Sequence, residues 1–133
     1  MSPKLKLLRE VISNIFSRPA TIQYPREPAA VSSEYRGLHY PDLNKCIGCS
    51  LCMVDCPANA IKMVKLPPDY KNPKNPRGIY PVVDYGKCVF CYQCVFVCPV
   101  KAYITSNKFD MADYVTHNSQ ALSLKTIRKG DKG

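Results

Sequence analysis

The sequence predicts an α+β protein with a duplicated core of short strands, an N-terminal amphipathic helix and extended arms on either side of the core. Two segments share one cysteine pattern, short β-rich runs follow both of them, and residues 4–17 place apolar side chains at helical spacing. With 133 residues, the chain is long enough for one small domain plus arms. We therefore expect one core rather than two independent ones.

The N-terminal segment, residues 1–17, has the pattern of an amphipathic helix. One half of its helical wheel is polar or basic and includes Lys6 and Arg9, whereas Lys4 falls on the apolar half. The apolar half consists of Leu5, Leu7, Leu8, Val11, Ile12, Ile15 and Phe16. Such a helix suits contact with a membrane surface or a membrane subunit through residues 4–17, and packing on its own domain is the alternative.

The charge of the chain is strongly positive, with 19 Lys and Arg residues against 10 Asp and Glu and a formal net charge of +9. The positive residues are spread along the chain, which predicts a broadly basic surface. Such a surface suits an acidic protein partner, anionic lipid or nucleic acid, or simply solubility. The apolar runs are too short for a signal peptide or for a membrane span of roughly 20 residues. We expect a chain that is neither secreted nor membrane-spanning.

All eight cysteines lie in two copies of one motif, C-x-x-C-x-x-C-x-x-x-C-P, offset by 42 positions. Cysteines in a short chain can belong to disulfides, zinc sites or iron–sulfur clusters. Structural zinc usually takes two C-x-x-C pairs with a long spacer, and tight cysteine runs without a secretion signal fit disulfides poorly. Thiolates at this spacing allow a short loop to wrap one face of a cubane. The motif therefore predicts two [4Fe-4S] clusters.

Over residues 46–100 the motif resembles bacterial-type ferredoxins with two [4Fe-4S] clusters, which implies a ferredoxin-like fold. In such ferredoxins the fourth cysteine of each motif binds the other cluster. The ligands implied for cluster 1 are Cys46, Cys49, Cys52 and Cys98. Those implied for cluster 2 are Cys88, Cys91, Cys94 and Cys56. Further residues expected to contact the clusters are Pro57, Pro99, Ile47 and Val89, and each proline is expected to begin a short helix.

Three β-rich runs, residues 60–64, 78–85 and 102–105, are expected to form strands of small antiparallel hairpins on one side of the clusters. The two-cluster domain then covers residues 44–106. Within it, residues 66–78 are dense in Pro, Asn and Lys, which predicts a surface excursion that a minimal two-cluster ferredoxin would not need.

The flanks are an extended docking arm at residues 18–43 and a docking segment with a basic tail at residues 107–133. They carry a second resemblance. RPATIQYP at residues 18–25, EYRGLHY at residues 34–40 and FDMADY at residues 109–114 are similar to segments of one two-cluster subunit. That subunit belongs to the superfamily of respiratory complex I, energy-converting membrane-bound hydrogenases and membrane-bound sulfur reductases.

This resemblance implies an electron-relay subunit in the peripheral arm of a membrane-bound, ion-translocating oxidoreductase, on the cytoplasmic face of the cell membrane. The implied partners are the subunit with the terminal cluster and membrane subunits. No catalytic site, small-molecule substrate or nucleic acid is expected for this chain itself. Two alternatives stay open: a subunit of a soluble 2-oxoacid:ferredoxin oxidoreductase, and a basic nucleic-acid-binding protein with a structural metal site.

In addition to the cysteines, four residues with ring side chains stand out in the sequence. Phe90 and Tyr92 occupy positions near the second cluster where a small residue is common in this family. His39 and His117 are expected to be structural or interfacial, because the cysteines alone suffice for both clusters.

Overall fold

The structure is a computed structural model that describes residues 3–130. It divides into two units, Met1–Val31 and Ser32–Gly133. The elements in chain order are α1 (Pro3–Phe16), β1 (His39–Pro41), α2 (Leu51–Val54), β2 (Ile61–Lys65), β3 (Ile79–Val83), α3 (Gln93–Phe96), β4 (Tyr103–Thr105) and α4 (Gln120–Gly130). No helix within the described part of the chain combines the length and the apolar character needed to cross a bilayer.

The first unit contains helix α1, in the segment for which a helix was expected. Its apolar side chains are largely exposed: Leu8, Ile12 and Ile15 keep 58%, 49% and 70% of their surface. Exposed side chains of this size leave apolar area that a partner could bury.

The second unit contains two small antiparallel sheets, in which β1 pairs with β4 and β2 pairs with β3. Strands β3 and β4 lie within the runs 78–85 and 102–105, and β2 overlaps the run 60–64 but extends one residue beyond it. Strand β1 was not predicted, because residues 39–41 fall in the segment that was expected to be an extended arm. The expectation of hairpins is therefore correct for β2 and β3 and wrong for β4, whose partner comes from the arm before the first motif.

The two sheets correspond to each other under the offset of 42 positions that relates the cysteine motifs. In one sheet Pro41 lies opposite Tyr103, and in the other Val83 lies opposite Ile61. The match extends to hydrogen bonds between the halves. The Asp42 N–H donates to the Ala102 carbonyl at 2.7 Å, and the Asp84 N–H donates to the Ala60 carbonyl at 2.8 Å. Each half therefore supplies the strand that completes the sheet of the other half.

The short helices α2 and α3 end before the fourth cysteine of each motif, so the expectation that Pro57 and Pro99 begin helices was wrong. Each proline instead begins a turn. The Asn59 N–H closes one turn on the Cys56 carbonyl, and the Lys101 N–H closes the other on the Cys98 carbonyl. Asn59 and Lys101 have φ of 48° and 46°. This left-handed conformation prevents the turn from continuing as a right-handed helix.

The segment 66–78, expected to be a surface excursion, is held by two buried asparagines, one bonded at the start of the first motif and the other to strand β3. The side-chain amide of Asn72 donates to the Leu43 carbonyl at 2.7 Å and to the Cys46 carbonyl at 3.3 Å. The amide of Asn75 donates to the Ile79 carbonyl at 2.7 Å. Asn72 and Asn75 are 9% and 5% exposed. Buried amides that satisfy backbone carbonyls hold a loop in one conformation.

Helix α4 occupies most of the segment expected to be a basic tail and packs against β1. The Thr126 hydroxyl accepts a hydrogen bond from the Leu43 N–H at 3.2 Å. Just before the helix, the fully buried Ser119 hydroxyl accepts one from the Val83 N–H at 2.8 Å. The end of the expected tail, residues 131–133, lies outside the described residues.

Two glycines with positive φ, Gly48 (68°) and Gly78 (60°), provide a matched test of the anchored segment. A Cβ at Gly48 would lie 2.9 Å from the Ile79 carbonyl oxygen and 2.5 Å from Asn75 Oδ1, whereas one at Gly78 would meet nothing within 4 Å. We expect Gly78→Ala to cost roughly 1–2 kcal/mol of backbone strain. Gly48→Ala should cost about 1–3 kcal/mol more from the added contacts.

The measurement is the temperature at which each purified holoprotein loses its visible cluster absorption. Equal temperatures for the two variants would contradict a tight fit of the segment on the first motif.

Candidate metal centres

Two cavities in the second unit are lined by the eight cysteines, four to each. Cavity 1 is lined by Cys46, Cys49, Cys52 and Cys98. Cavity 2 is lined by Cys56, Cys88, Cys91 and Cys94. Both cavities thus take three cysteines from one motif and the fourth from the other, and the sets coincide with the ligand sets that the sequence implied.

The backbone of each motif curls around its cavity because two residues adopt a left-handed conformation. In the first motif these are Gly48 and Ser50, with φ of 68° and 69°. In the second they are Phe90 and Tyr92, with φ of 52° and 63°. Residues other than glycine are strained in this conformation. Because both loops nevertheless adopt it at matching positions, the surrounding fold must hold them in this curvature.

Backbone N–H groups point at several cysteine sulfurs. The Ala60 N–H donates to Cys56 Sγ at 3.4 Å, and the Ala102 N–H donates to Cys98 Sγ at 3.3 Å. These two bonds are again related by 42 positions, and both fourth cysteines receive one. Hydrogen bonds to a thiolate sulfur stabilise its negative charge, which suits coordination of iron.

Burial raises the pKa of four of the cysteine thiols, and the pKa of Cys94 rises to about 12. The other three are Cys46, Cys52 and Cys88. Neighbouring cysteines raise these pKa values further, because thiolates placed side by side repel one another. Iron is bound by thiolates, so the positive charge of the metal is what makes four ionised cysteines compatible with one small cavity. The residues present fit a cubane with one thiolate per iron.

Of the four further residues expected to contact the clusters, three lie in the cavity walls. Ile47 lines cavity 1, and Pro57 and Val89 line cavity 2. Pro99 is exposed and is not among the residues that line cavity 1. Val89 keeps 65% of its surface exposed, so it covers cavity 2 only from one side.

Different parts of the chain lie over the two cysteine motifs. Segment 66–78 lies over the loop of the first motif, where Arg77 Nη1 donates to the Gly48 carbonyl at 3.3 Å. At the second motif Cys91 is exposed, and Arg36 Nη1 donates to its carbonyl at 3.0 Å. The Arg36 guanidinium also lies 5.8 Å from the Phe96 ring centre. Sequence reasoning missed Arg36, because no local pattern links it to a cysteine 55 positions away.

His39 lies at the centre of an aromatic cluster beside cavity 2. It is fully buried and lines this cavity. Its ring centre lies 5.0–6.2 Å from the ring centres of four residues: Tyr85, Phe90, Tyr92 and Tyr103. Phe90 and Tyr92, which depart from the small residues common in the resembled family, therefore have a packing role. His117, by contrast, is exposed and lies 2.9 Å from the Asp113 carboxylate.

Comparisons with known proteins agree with this geometry. Residues 45–102 match the model of the 4Fe-4S dicluster domain family. NADH-quinone oxidoreductase subunit 9 from one strain of Thermus thermophilus is 44% identical over 64 residues, which cover 44% of this chain and 35% of that protein. NADH-quinone oxidoreductase subunit I from a second strain of the same organism matches with the same values.

Among solved structures, the membrane-bound sulfane sulfur reductase, an archaeal respiratory membrane complex, contains a chain with a similar fold. The TM-score is 0.56 at 33% sequence identity, over 82% of this chain and 60% of that chain. The chain therefore spans about a third of the length of the curated relatives and three fifths of the solved one. Residues 45–102 match a ferredoxin-like 4Fe-4S dicluster domain, which implies two [4Fe-4S] clusters, and the chain is homologous over 64 residues to NADH-quinone oxidoreductase subunit I.

Proposed function

We propose that this chain is the electron-relay subunit of a membrane-bound, ion-translocating oxidoreductase of the complex I type, with two [4Fe-4S] clusters in its peripheral arm. The observation that carries the proposal is the pair of cysteine-lined cavities, each assembled from both motifs. The similarity to NADH-quinone oxidoreductase subunits and to a chain of an archaeal respiratory membrane complex supports the membrane-bound setting.

Two adjacent clusters suit a relay. Cys52 from the wall of cavity 1 and Cys94 from the wall of cavity 2 pack in one buried apolar core with Ile61 and Val83. Both cavities therefore border the same core, and clusters bound in them would be placed for electron transfer within the domain. The clusters supply reversible one-electron chemistry, and the protein residues hold them, exclude water and place hydrogen-bond donors at their sulfurs.

The ligand assignment in this proposal is crossed. Cys98 completes the site of the first motif, and Cys56 completes the site of the second, in a core built from two equivalent halves. The matching positions of strands, turns and left-handed residues at an offset of 42 support a duplicated core. A protein with crossed ligands couples cluster binding to the folding of both halves.

The proposed location is the cytoplasmic face of the cell membrane, where the subunit with the terminal cluster and membrane subunits would be the partners. Helix α1 is proposed to be amphipathic and to contact the anionic membrane surface through residues 4–17. Its exposed apolar side chains and the basic character of the chain support this contact.

Single cysteine variants test the crossed assignment. Cys98→Ala and Cys49→Ala should leave the same residual electron paramagnetic resonance (EPR) signal, because both remove a ligand of cluster 1. Cys56→Ala and Cys91→Ala should leave the other one. Iron content should fall from about eight per chain toward about four in all four variants. A Cys98→Ala spectrum that matched Cys91→Ala would contradict crossed ligation.

The partners can be identified by isolating the native assembly. With an affinity tag on this chain in its native cells, we expect mild detergent to release a complex that contains membrane subunits and a further iron–sulfur subunit. In that complex both clusters should be reduced and reoxidised when the physiological donor and acceptor are added in turn. Recovery with thiamine-dependent 2-oxoacid oxidoreductase subunits instead would contradict the membrane-bound function.

Helix α1 can be tested on lipid vesicles with the full holoprotein. Ile12→Asp places a charge on the apolar face, and the matched control Ser13→Asp places the same charge at the neighbouring position on the polar face. We expect Ile12→Asp to lose roughly tenfold or more in binding to vesicles rich in anionic lipid, and Ser13→Asp to bind nearly as the unmodified chain. Co-flotation with the vesicles measures the effect, and equal losses would contradict contact through the apolar face.

A further inference from the structure

Three residues have buried side-chain nitrogen or oxygen atoms without a hydrogen-bond partner in the described part of the chain. They are His39, with both ring nitrogens, Asn75, with Oδ1, and Tyr103, with its hydroxyl. An unsatisfied buried polar group costs about 1–3 kcal/mol, so such groups call for a missing partner. His39 lines cavity 2 and Tyr103 lines cavity 1. Each cluster cavity thus has one unpartnered polar side chain in its wall.

The protein groups nearest to His39 do not complete a hydrogen bond with its ring nitrogens. The Gly37 carbonyl lies near the ring but accepts from the Tyr92 hydroxyl at 2.9 Å, and the Tyr85 hydroxyl donates to the backbone carbonyl of His39 at 2.7 Å. The Tyr103 hydroxyl lies near the Cys52 thiol but outside hydrogen-bond geometry. The sulfurs of the two cubanes are the acceptors that the cavities would bring within reach.

The protonation of both groups keeps them donors. Burial lowers the pKa of His39, and the Gly37 backbone opposes this only in part. A neutral imidazole still carries one ring N–H. The Tyr103 hydroxyl is a phenol, which carries its proton near neutral pH and can donate it in a hydrogen bond.

The two donors have no equivalents at the positions related to them by the offset of 42, so they distinguish one half of the fold from the other. The counterpart of His39 is Pro81, which lines cavity 1, and the counterpart of Tyr103 is Ile61, which lines cavity 2. Neither counterpart has a side-chain donor. His39 and Tyr103 belong to β1 and β4, and their ring centres lie 5.9 Å apart. One of the two sheets therefore supplies a donor to both cavities, and the other supplies none.

We propose that His39 donates a ring N–H hydrogen bond to a sulfur of cluster 2, that Tyr103 donates its O–H to a sulfur of cluster 1, and that each bond raises the reduction potential of its own cluster. Reduction adds negative charge to the cubane, so a donor at its sulfurs stabilises the reduced state more than the oxidised state. This inference deepens the proposed function and rests on its ligand assignment. His39 and Tyr103 act here as tuning residues and not as ligands.

The test uses His39→Phe and Tyr103→Phe in the holoprotein, because phenylalanine fills the space of either ring without a donor. The EPR signals of the two clusters are first assigned with the cysteine variants. In a redox titration followed by EPR, His39→Phe should lower the midpoint potential of cluster 2 alone, and Tyr103→Phe that of cluster 1 alone. A tenfold change in the one-electron equilibrium corresponds to a shift of about 59 mV.

Each variant is the control for the other. Equal shifts of both clusters would indicate a general change in solvent access and overturn the proposal, as would unchanged potentials in a protein with full iron content. His39→Gln retains an N–H donor and should recover part of the potential lost in His39→Phe. A purely structural role of His39 would not show this recovery.

An independent readout covers the case in which His39→Phe fails to assemble clusters. The chain has two histidines. His117→Gln removes the exposed one and leaves His39 as the sole histidine for ¹⁵N labelling. The reduced labelled protein should show a weak ¹⁵N coupling in the EPR signal of cluster 2, transmitted through the N–H···S bond. Absence of this coupling would overturn the role of His39, whatever partners the native chain proves to have.

Discussion

The exchange of hydrogen bonds between its two halves is the constraint on which the dicluster domain depends. The N–H of Asp42 reaches the carbonyl of Ala102, and the N–H of Asp84 reaches that of Ala60. Through these contacts the strand before each motif pairs with the strand after the other motif. A half on its own would leave its sheet edge and its cavity incomplete, so the two halves have to form together.

The same exchange places the cysteines. Because the turn after each motif is held against the opposite half, the fourth cysteine of that motif reaches the cavity of the other half. The apolar core is small and includes Cys52 and Cys94 among its buried members. A core of this size contributes little stability without its metal, which is why folding and cluster binding are expected to be coupled.

Local differences between the halves give the two cavities different surroundings. Gly48 is required in the first loop because Asn75 and the Ile79 carbonyl occupy the space of a side chain. Its counterpart Phe90 has no such cover and packs against His39 instead. Cavity 1 thus lies beneath an anchored loop, and cavity 2 lies beside the rings around His39 and an exposed cysteine, Cys91. Clusters in unlike surroundings differ in reduction potential, which is useful in a relay.

The sequence by itself determined the chemistry of this protein. The spacing of eight cysteines and two prolines indicated two [4Fe-4S] clusters in a ferredoxin-like domain, because cubane binding demands thiolates at short, regular intervals. Three of the four strands and helix α1 were also predictable, since each shows its periodicity within a few residues. Such features depend only on neighbours along the chain.

The tertiary structure alone decided what depends on residues far apart in sequence. Strand β1 exists because β4 pairs with it, and the anchoring role of Asn72 exists because the first motif offers it free carbonyls. Helix α4 is stabilised by contacts with β1 and Leu43, and the basic sequence of this segment does not predict these contacts. His39 is an ordinary histidine in the sequence and becomes a candidate donor only where the fold buries it beside cavity 2 without a partner. Burial and orientation arise from packing, and packing is the information that a local pattern lacks.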